Sequence, residues 1–217
     1  LATIGGRLGS IKIKKAKLRG EISFGMLCSS KELGLAEDAD GLMVLPEDAP
    51  IGTDLRDYLQ LNDSVIEIDL TPNRGDCLGV RGVAREMATL NQLDFKDLSF
   101  KTVIPTIDDN KIVKIEAVDG CARYVGRIVK GINAGAETPM WMVEKLRRSG
   151  IRTIHPVVDV TNYVLIEFGH PMHGFDLRQL QGDISIRWAN DKEKIVLLDG
   201  REIELQNDVL MIADEEK

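Results

Sequence analysis

The strongest constraint on this chain is a helix that cannot continue past residue 169. From Val157 to Phe168 the apolar side chains Val160, Tyr163, Val164 and Phe168 recur at intervals of three and four, which predicts a helix. Asp159 is a plausible N-cap, Gly169 a natural stop, and Pro171 cannot extend a helix because it has no N–H to donate. The chain must therefore turn, and the turn carries His170, His173 and Asp176 between Gly169 and Gly174. A helix end followed by polar side chains on a Gly/Pro-punctuated loop is a common way to present a site.

Three readings compete for these histidines, and the spacing leaves all three open. His170 and His173 with Asp176 or Glu167 offer nitrogen and oxygen ligands for a metal, although Pro171 removes the helical register that would align them. A second reading is a turn whose rings satisfy nearby backbone. A third is a substrate pocket in which His173 and Asn162 supply hydrogen bonds, one from the turn and one from the helix.

The rest of the chain sets limits on partners and architecture. At 217 residues with 43% hydrophobic content it can bury one large core or two smaller ones. Only 5% are aromatic, so those cores are chiefly aliphatic. The net charge of -7 opposes wholesale nucleic-acid binding, but an average conceals local patches. One such patch is Ile11–Arg19, which alternates apolar and basic residues as a half-buried strand does. There Lys12, Lys14, Lys15, Lys17 and Arg19 either protect an edge from aggregation or meet phosphate. The strongly acidic segment from Glu32 to Asp57 balances them and reads as a solvated face. Cys28, Cys77 and Cys121 have neither zinc spacing nor a disulfide framework, which points to a reducing cytoplasm. No apolar run approaches 18 residues. With no initiating Met, and patterns broken at both ends, the chain reads as part of a longer polypeptide.

Further elements follow from periodicity. Val65–Leu70 alternates as a strand and enters the turn Thr71–Asp76; Asp76 caps a helix running to about Leu90, with a stripe of Val80, Val83, Ala84, Met87 and Leu90. Asn73 and Arg74 serve to tie that strand to the helix. Leu93–Asn110 reads as a linker. Val113–Ala117 and Tyr124–Ile132 read as strands, and Thr138-Pro139 opens a helix that ends at Gly150. Lys145, Arg147 and Arg148 near its end suit the helix dipole. Ile184–Trp188 and Lys194–Leu198 read as a hairpin, Asp199-Gly200 as a tight turn before Arg201–Leu205, and Val209–Ile212 as a further strand.

Five motifs in fixed order carry a resemblance. KLRGEISFGMLCSSKELGL resembles the tRNA-binding oligonucleotide/oligosaccharide-fold domain of several synthetases. TPNRGDCLGVRGVARE, CARYVGRIVKGI, VVDVTNYV and PMHGFD, with Ile151-Arg152 before the last two, closely resemble the beta subunit of bacterial phenylalanyl-tRNA synthetase. The implied fold class is α+β, built from a partial OB-type β-barrel, a small α/β segment and an incomplete α/β editing (B3/B4) domain. The implied boundaries are 1–60 for the later part of the tRNA-binding barrel and 61–98 for a strand–helix segment. A linker takes 99–111, and 112–217 is the first part of the editing domain.

The resemblance also implies a function. The complete enzyme joins phenylalanine to tRNA(Phe) with ATP and Mg2+, as a heterotetramer of two alpha and two beta subunits. The alpha subunit houses activation. The beta subunit binds tRNA and hydrolyses mischarged tyrosyl-tRNA(Phe). Carried onto this sequence, the editing-pocket residues are His173, Asn162, Arg152 and Pro171. His173 places the terminal adenosine or the attacking water, Asn162 supports it, Arg152 meets the anionic RNA end, and Pro171 shapes the turn. Lys12, Lys14, Lys15, Lys17 and Arg19 are the implied tRNA-contacting cations. No membrane, DNA or resident metal is implied, and no ATP or Mg2+ is expected on this segment alone. The pocket is completed elsewhere in the subunit, so the segment by itself is expected to be inactive. One departure is Phe168-Gly169-His170, where the family often has leucine, glycine and glutamine; His170 is thus incidental to the motif.

Overall fold

The computed structural model describes residues 2–3, 7–8, 11–37 and 41–216. The acidic pair Asp38 and Asp40, and the side chain of Ile11, lie outside that description. The chain divides into two compact units, Leu1–Asp63 and Ser64–Lys217.

The first unit consists of paired short strands. β1 (Ala2–Thr3) pairs with β6 (Gly25–Met26), β2 (Arg7–Leu8) with β3 (Ile11–Lys12), and β4 (Ala16–Leu18) with β5 (Glu21–Ser23), all antiparallel. Among the described residues each sheet has two strands and no closed barrel forms. The single strand expected over Ile11–Arg19 is thus divided, with Lys14 and Lys15 in the link and Arg19 in a turn. Arg19 (φ 50°) and Gly20 (φ 94°) are the two central residues of a tight hairpin, a backbone that glycine adopts without cost. Alternation survives locally: Ile13 is buried while Lys12 and Lys14 are exposed. The short helix α1 (Leu55–Tyr58) starts at Asp54, whose carboxylate accepts from the Arg56 N–H, and it delivers Leu59 to the interior.

The second unit is a small mixed sheet with helices in its crossover. Its order is β11 (Leu210–Ala213), β8 (Ile184–Trp188), β7 (Val113–Ile115). β7 and β8 are parallel, so the chain must return between them, and that crossover contains α3 (Met140–Arg148) and α4 (Pro156–Phe168). β8 lies at the centre, with Ile184 and Ile186 buried on alternate positions. Its partners are β7 and β11, which corrects the expected hairpin with the following strand. That strand, β9 (Lys194–Val196), pairs instead with β10 (Glu202–Glu204) across the Asp199-Gly200 turn. A central strand pairs along both edges, and a local turn signal cannot reveal with which neighbours.

Other expectations are corrected as well. Neither Val65–Leu70 nor Tyr124–Ile132 has a ladder partner among the described residues, and neither forms a strand. Alternation makes a segment competent to pair, but pairing still requires a neighbour. Asp76 does not cap α2 (Val80–Leu90). A 3-10 turn at Gly75–Cys77 intervenes, and Gly79 occupies the N-cap. Asp76 instead holds Arg74 at 3.1 Å, and the same guanidinium reaches Glu86 at 2.7 Å. Arg74 therefore ties the loop to the helix through charge, whereas the strand it was expected to tie does not form and Asn73 accepts only from the Thr71 hydroxyl among the described residues.

Candidate functional site

The platform of the candidate site is the start of α4, and its anchor is Asp159. This carboxylate is 1% exposed and lies inside the first turn of the helix. It accepts from the Ile154 N–H at 2.9 Å and the Thr138 hydroxyl at 2.5 Å. The expected roles of both side chains thus change. His155 is the N-cap, its Nδ1 accepting from the Val157 N–H at 3.3 Å, and Thr138 caps nothing in α3 because its hydroxyl is spent on Asp159. A buried anion is stable only with such donors, and these two join the approach to α3 with the approach to α4.

The far end of α4 closes as the sequence indicates. Gly169 adopts the left-handed conformation (φ 68°), and its N–H reaches the Leu165 carbonyl at 2.8 Å. Here α2 comes very close: a Cβ placed on Gly79 would fall 2.4 Å from the Gly169 nitrogen. Phe168 meets Phe100 edge to face, with centroids 5.4 Å apart. The turn leaving α4 is thereby set by backbone packing.

On that turn, His173 has two near-parallel aromatic neighbours. The Tyr124 ring lies 6.4 Å away at 26°, and the Phe175 ring 6.2 Å away at 19°. His173 is exposed, and among the described residues no hydrogen bond reaches its ring. Phe175 also lines a cavity of ≈ 170 Å³ together with Leu180, Ile184, Ile212, Ala213 and Asp214, which connects the turn to the end of the sheet. The Asp214 carboxylate accepts from the Gln181 and Glu216 N–H groups, each at 2.9 Å. Burial raises the Tyr124 phenol above its ordinary pKa, so its hydroxyl is protonated near neutral pH.

The other expected site residues divide. Arg152 is exposed and, among the described residues, makes no ion pair. The two acids that might have held it are occupied: Asp159 by Thr138 and Ile154, and Asp176 by Arg178 at 2.8 Å. The Arg178 guanidinium and N–H hold the Asp176 carboxyl down to about 2. Pro171 lies on the exposed turn. Asn162 is half-buried, and among the described residues no hydrogen bond joins it to His173. Gly174 approaches α4 at Val157: a Cβ placed on the glycine would fall 3.6 Å from a Val157 methyl. Asn162 is five residues on, about 140° around the helix from Val157. His173 and Asn162 therefore belong to one structural unit without being paired. Among the described residues no group of three or more His, Cys, Asp or Glu side chains gathers as metal ligands do.

The pair of rings beside His173 escaped the sequence reading. Phe175 had a signal, since in extended backbone residues two apart share a side. Tyr124 had none: it is brought in by the turn after β7, where the Gly120 and Cys121 N–H groups return to the Ala117 carbonyl.

In the first unit the cationic residues Lys12, Lys14, Lys15, Lys17 and Arg19 are all exposed. Lys15 lies over the Phe24 ring at 5.1 Å, and Phe24 is itself 62% exposed. Among the described residues none of the five has a carboxylate partner. An exposed ring beside free cations can both stack on bases and neutralise phosphate.

Residues 120–217 match the B3/4 domain family. The whole chain is 57% identical over 218 residues to the phenylalanine–tRNA ligase beta subunit of Pseudoalteromonas translucida. It is 58% identical over 218 residues to that of Colwellia psychrerythraea, and 58% over 217 residues to that of Pectobacterium atrosepticum. In each case the alignment takes 100% of this chain and 27% of the relative. The chain thus spans about a quarter of the length of these curated relatives.

Proposed function

Because this chain belongs to the family of phenylalanine–tRNA ligase beta subunits, as a segment of one, we propose that it contributes tRNA binding and part of a hydrolytic editing site to such an enzyme. The complete enzyme then joins L-phenylalanine to tRNA(Phe) with ATP and Mg2+, partnered by an alpha subunit in an alpha2beta2 assembly, in the cytoplasm. The three cysteines are free thiols, in keeping with a reducing compartment, and among the described residues no helix is long and apolar enough to cross a membrane. ATP and Mg2+ belong on this reading to the complete enzyme, and no residue of this chain is assigned to them. Residues 1–60 are read as the later part of the tRNA-binding barrel, 61–98 as a connecting segment, 99–111 as a linker, and 112–217 as the first part of the editing domain.

Editing answers a physical limit on selection. An apolar pocket for phenylalanine cannot strongly reject an analogue that only adds a hydroxyl. A second site with polar partners for that hydroxyl reverses the preference, because phenylalanine would leave those groups unpaired. The reaction is hydrolysis of the ester between tyrosine and the terminal ribose. It needs an oriented water and stabilisation of the developing oxyanion, with no covalent nucleophile. His173, with no hydrogen bond to its ring among the described residues, orients the water or the terminal adenosine. Arg152, left without a carboxylate, meets the anionic end of the RNA, and Pro171 shapes the turn. Asn162 serves the pocket from α4, by contact with the RNA end rather than through His173. Lys12, Lys14, Lys15, Lys17 and Arg19 engage tRNA phosphates.

The observation that carries this reading is identity extending over the whole chain, joined to a His173 ring that lies beside two aromatics and, among the described residues, takes no hydrogen bond. The test is His173→Ala in the full-length enzyme. Deacylation of tyrosyl-tRNA(Phe) should slow by about 10²-fold, the low end for a lost acid–base or water-orienting group. Charging with phenylalanine should be unchanged. Undiminished deacylation would remove His173 from the site and leave an RNA-binding module without chemistry in these residues.

A further inference from the structure

Tyr124 lies outside every regular element, yet it is half-buried in a stretch whose neighbours are largely exposed. Its position derives from the sheet. After β7 the Glu116 and Ala117 N–H groups both bond the Ile186 carbonyl, at 2.8 and 3.0 Å, and Ala117 is 2% exposed. The turn that follows is closed on the Ala117 carbonyl by Gly120 and Cys121, and Cys121 Sγ lies 3.4 Å from the Arg123 carbonyl. Tyr124 is the next residue, and its ring lies against His173 with the offset, near-parallel geometry that aromatic pairs favour. The Tyr124 hydroxyl has no hydrogen-bond partner among the described residues, so it is the ring that makes the contact.

His173, by contrast, sits on an exposed turn with no hydrogen bond to fix its ring angle. A water-orienting imidazole must be held within a narrow range of angles, because small displacements of a reacting group are costly in rate. In this chain aromatic stacking is the only observed restraint on that ring among the described residues, and the Tyr124 part of it comes from the segment after the turn that Ala117 ties to β8. We propose that Tyr124 is a positioning residue for the editing hydrolysis, holding the His173 imidazole at its working angle by ring stacking. This inference rests on the editing role of His173.

The experiment compares Tyr124→Phe, Tyr124→Leu, His173→Ala and the His173→Ala/Tyr124→Leu double variant in the full-length enzyme, with tyrosyl-tRNA(Phe) as substrate. Tyr124→Leu should lower the kcat of deacylation about two- to ten-fold, the range one stacked aromatic pair sets, with KM unchanged. Tyr124→Phe should restore the wild-type rate, and the double variant should be no slower than His173→Ala alone. Tyr124→Met, which keeps the bulk and removes the ring, replaces Tyr124→Leu if the latter does not fold. The inference is overturned if Tyr124→Phe is as impaired as Tyr124→Leu, if KM rises while kcat holds, or if the double variant multiplies the two losses. It is also overturned if Tyr124→Leu deacylates at the wild-type rate while His173→Ala does not. An unimpaired His173→Ala enzyme is a different failure: it removes the editing role of His173 and this inference with it.

Discussion

The two units of the chain treat their cations in opposite ways. In the second unit most guanidinium groups are committed to a carboxylate: Arg74 to Asp76 and Glu86, Arg81 to Asp97, Arg147 to Glu144, Arg178 to Asp176, Arg187 to Glu193 and Arg201 to Asp199. In the first unit Lys12, Lys14, Lys17 and Arg19 have no such partner among the described residues. The difference separates charge used to hold a fold from charge left for something else. Paired charges fix loops to helices, as Arg74 does, while unpaired ones on a short strand pair keep their full attraction for a polyanion. Arg152 makes no ion pair among the described residues, as is also true of Arg85, Arg123 and Arg127, and it lies in the same unit as the turn that carries His173.

The sharpest way to break this contrast is to remove a committed charge from the interior. Asp159→Ala strands the Ile154 N–H and the Thr138 hydroxyl and opens a gap, and should cost about 3 kcal/mol. Trp141 and Trp188, the only tryptophans, both lie in the second unit, so their fluorescence in a urea titration reports that loss directly. A loss under about 0.5 kcal/mol would mean that the buried carboxylate does not anchor α4.

Next in size is Gly79→Ala. Its new methyl would meet the Gly169 backbone at 2.4 Å, and backbone cannot swing aside as a side chain can. The variant should lose about 2 kcal/mol by overpacking, seen in the same titration. Wild-type stability would show that α2 and α4 are free to separate.

A smaller, pH-dependent effect concerns Glu193. Arg187 at 2.7 Å and the Asn190 N–H hold its carboxyl down to about 2, below the usual range for glutamate. A depressed carboxyl stabilises the fold above the unfolded pKa, and that contribution is lost as pH falls through the folded value. The stability gap between wild type and Glu193→Gln should therefore be constant above about pH 5 and close toward pH 2. A gap that stays constant over that window would mean the pair is not formed.

How far this arrangement could be read from the sequence depended on how local its causes are. The end of α4 was legible because Gly169 and Pro171 act within a turn of their own position. The strand core at Ile184–Trp188 and Val113–Ala117 was legible from alternation, but its partners were not, since pairing in a crossover sheet is decided by chain segments far apart. Asp159 misled for a related reason. Its spacing suits an N-cap, yet Thr138, twenty-one residues earlier, makes it more valuable as a buried acceptor while His155 takes the cap. Over Lys12–Arg19 alternation shows exposed charge around a buried Ile13, but it carries no sign of the hairpin at Arg19-Gly20 that breaks the strand. Around the candidate site, the turn after α4 was legible from Gly169 and Pro171. The Tyr124 ring was not, because nothing near His173 in sequence records it.

The least effect on stability comes from replacing Lys12, Lys14, Lys17 and Arg19 together by glutamine in the full-length enzyme. Unpaired exposed charges contribute little to folding, so the melting behaviour should stay within about 0.5 kcal/mol of wild type. Binding of tRNA(Phe), measured from low to moderate salt, should weaken. The slope of log affinity against log salt should fall by about 3, as four phosphate contacts release fewer counterions. An unchanged slope at unchanged stability would show that these cations face no phosphate, and the contrast between the two units would then carry no function.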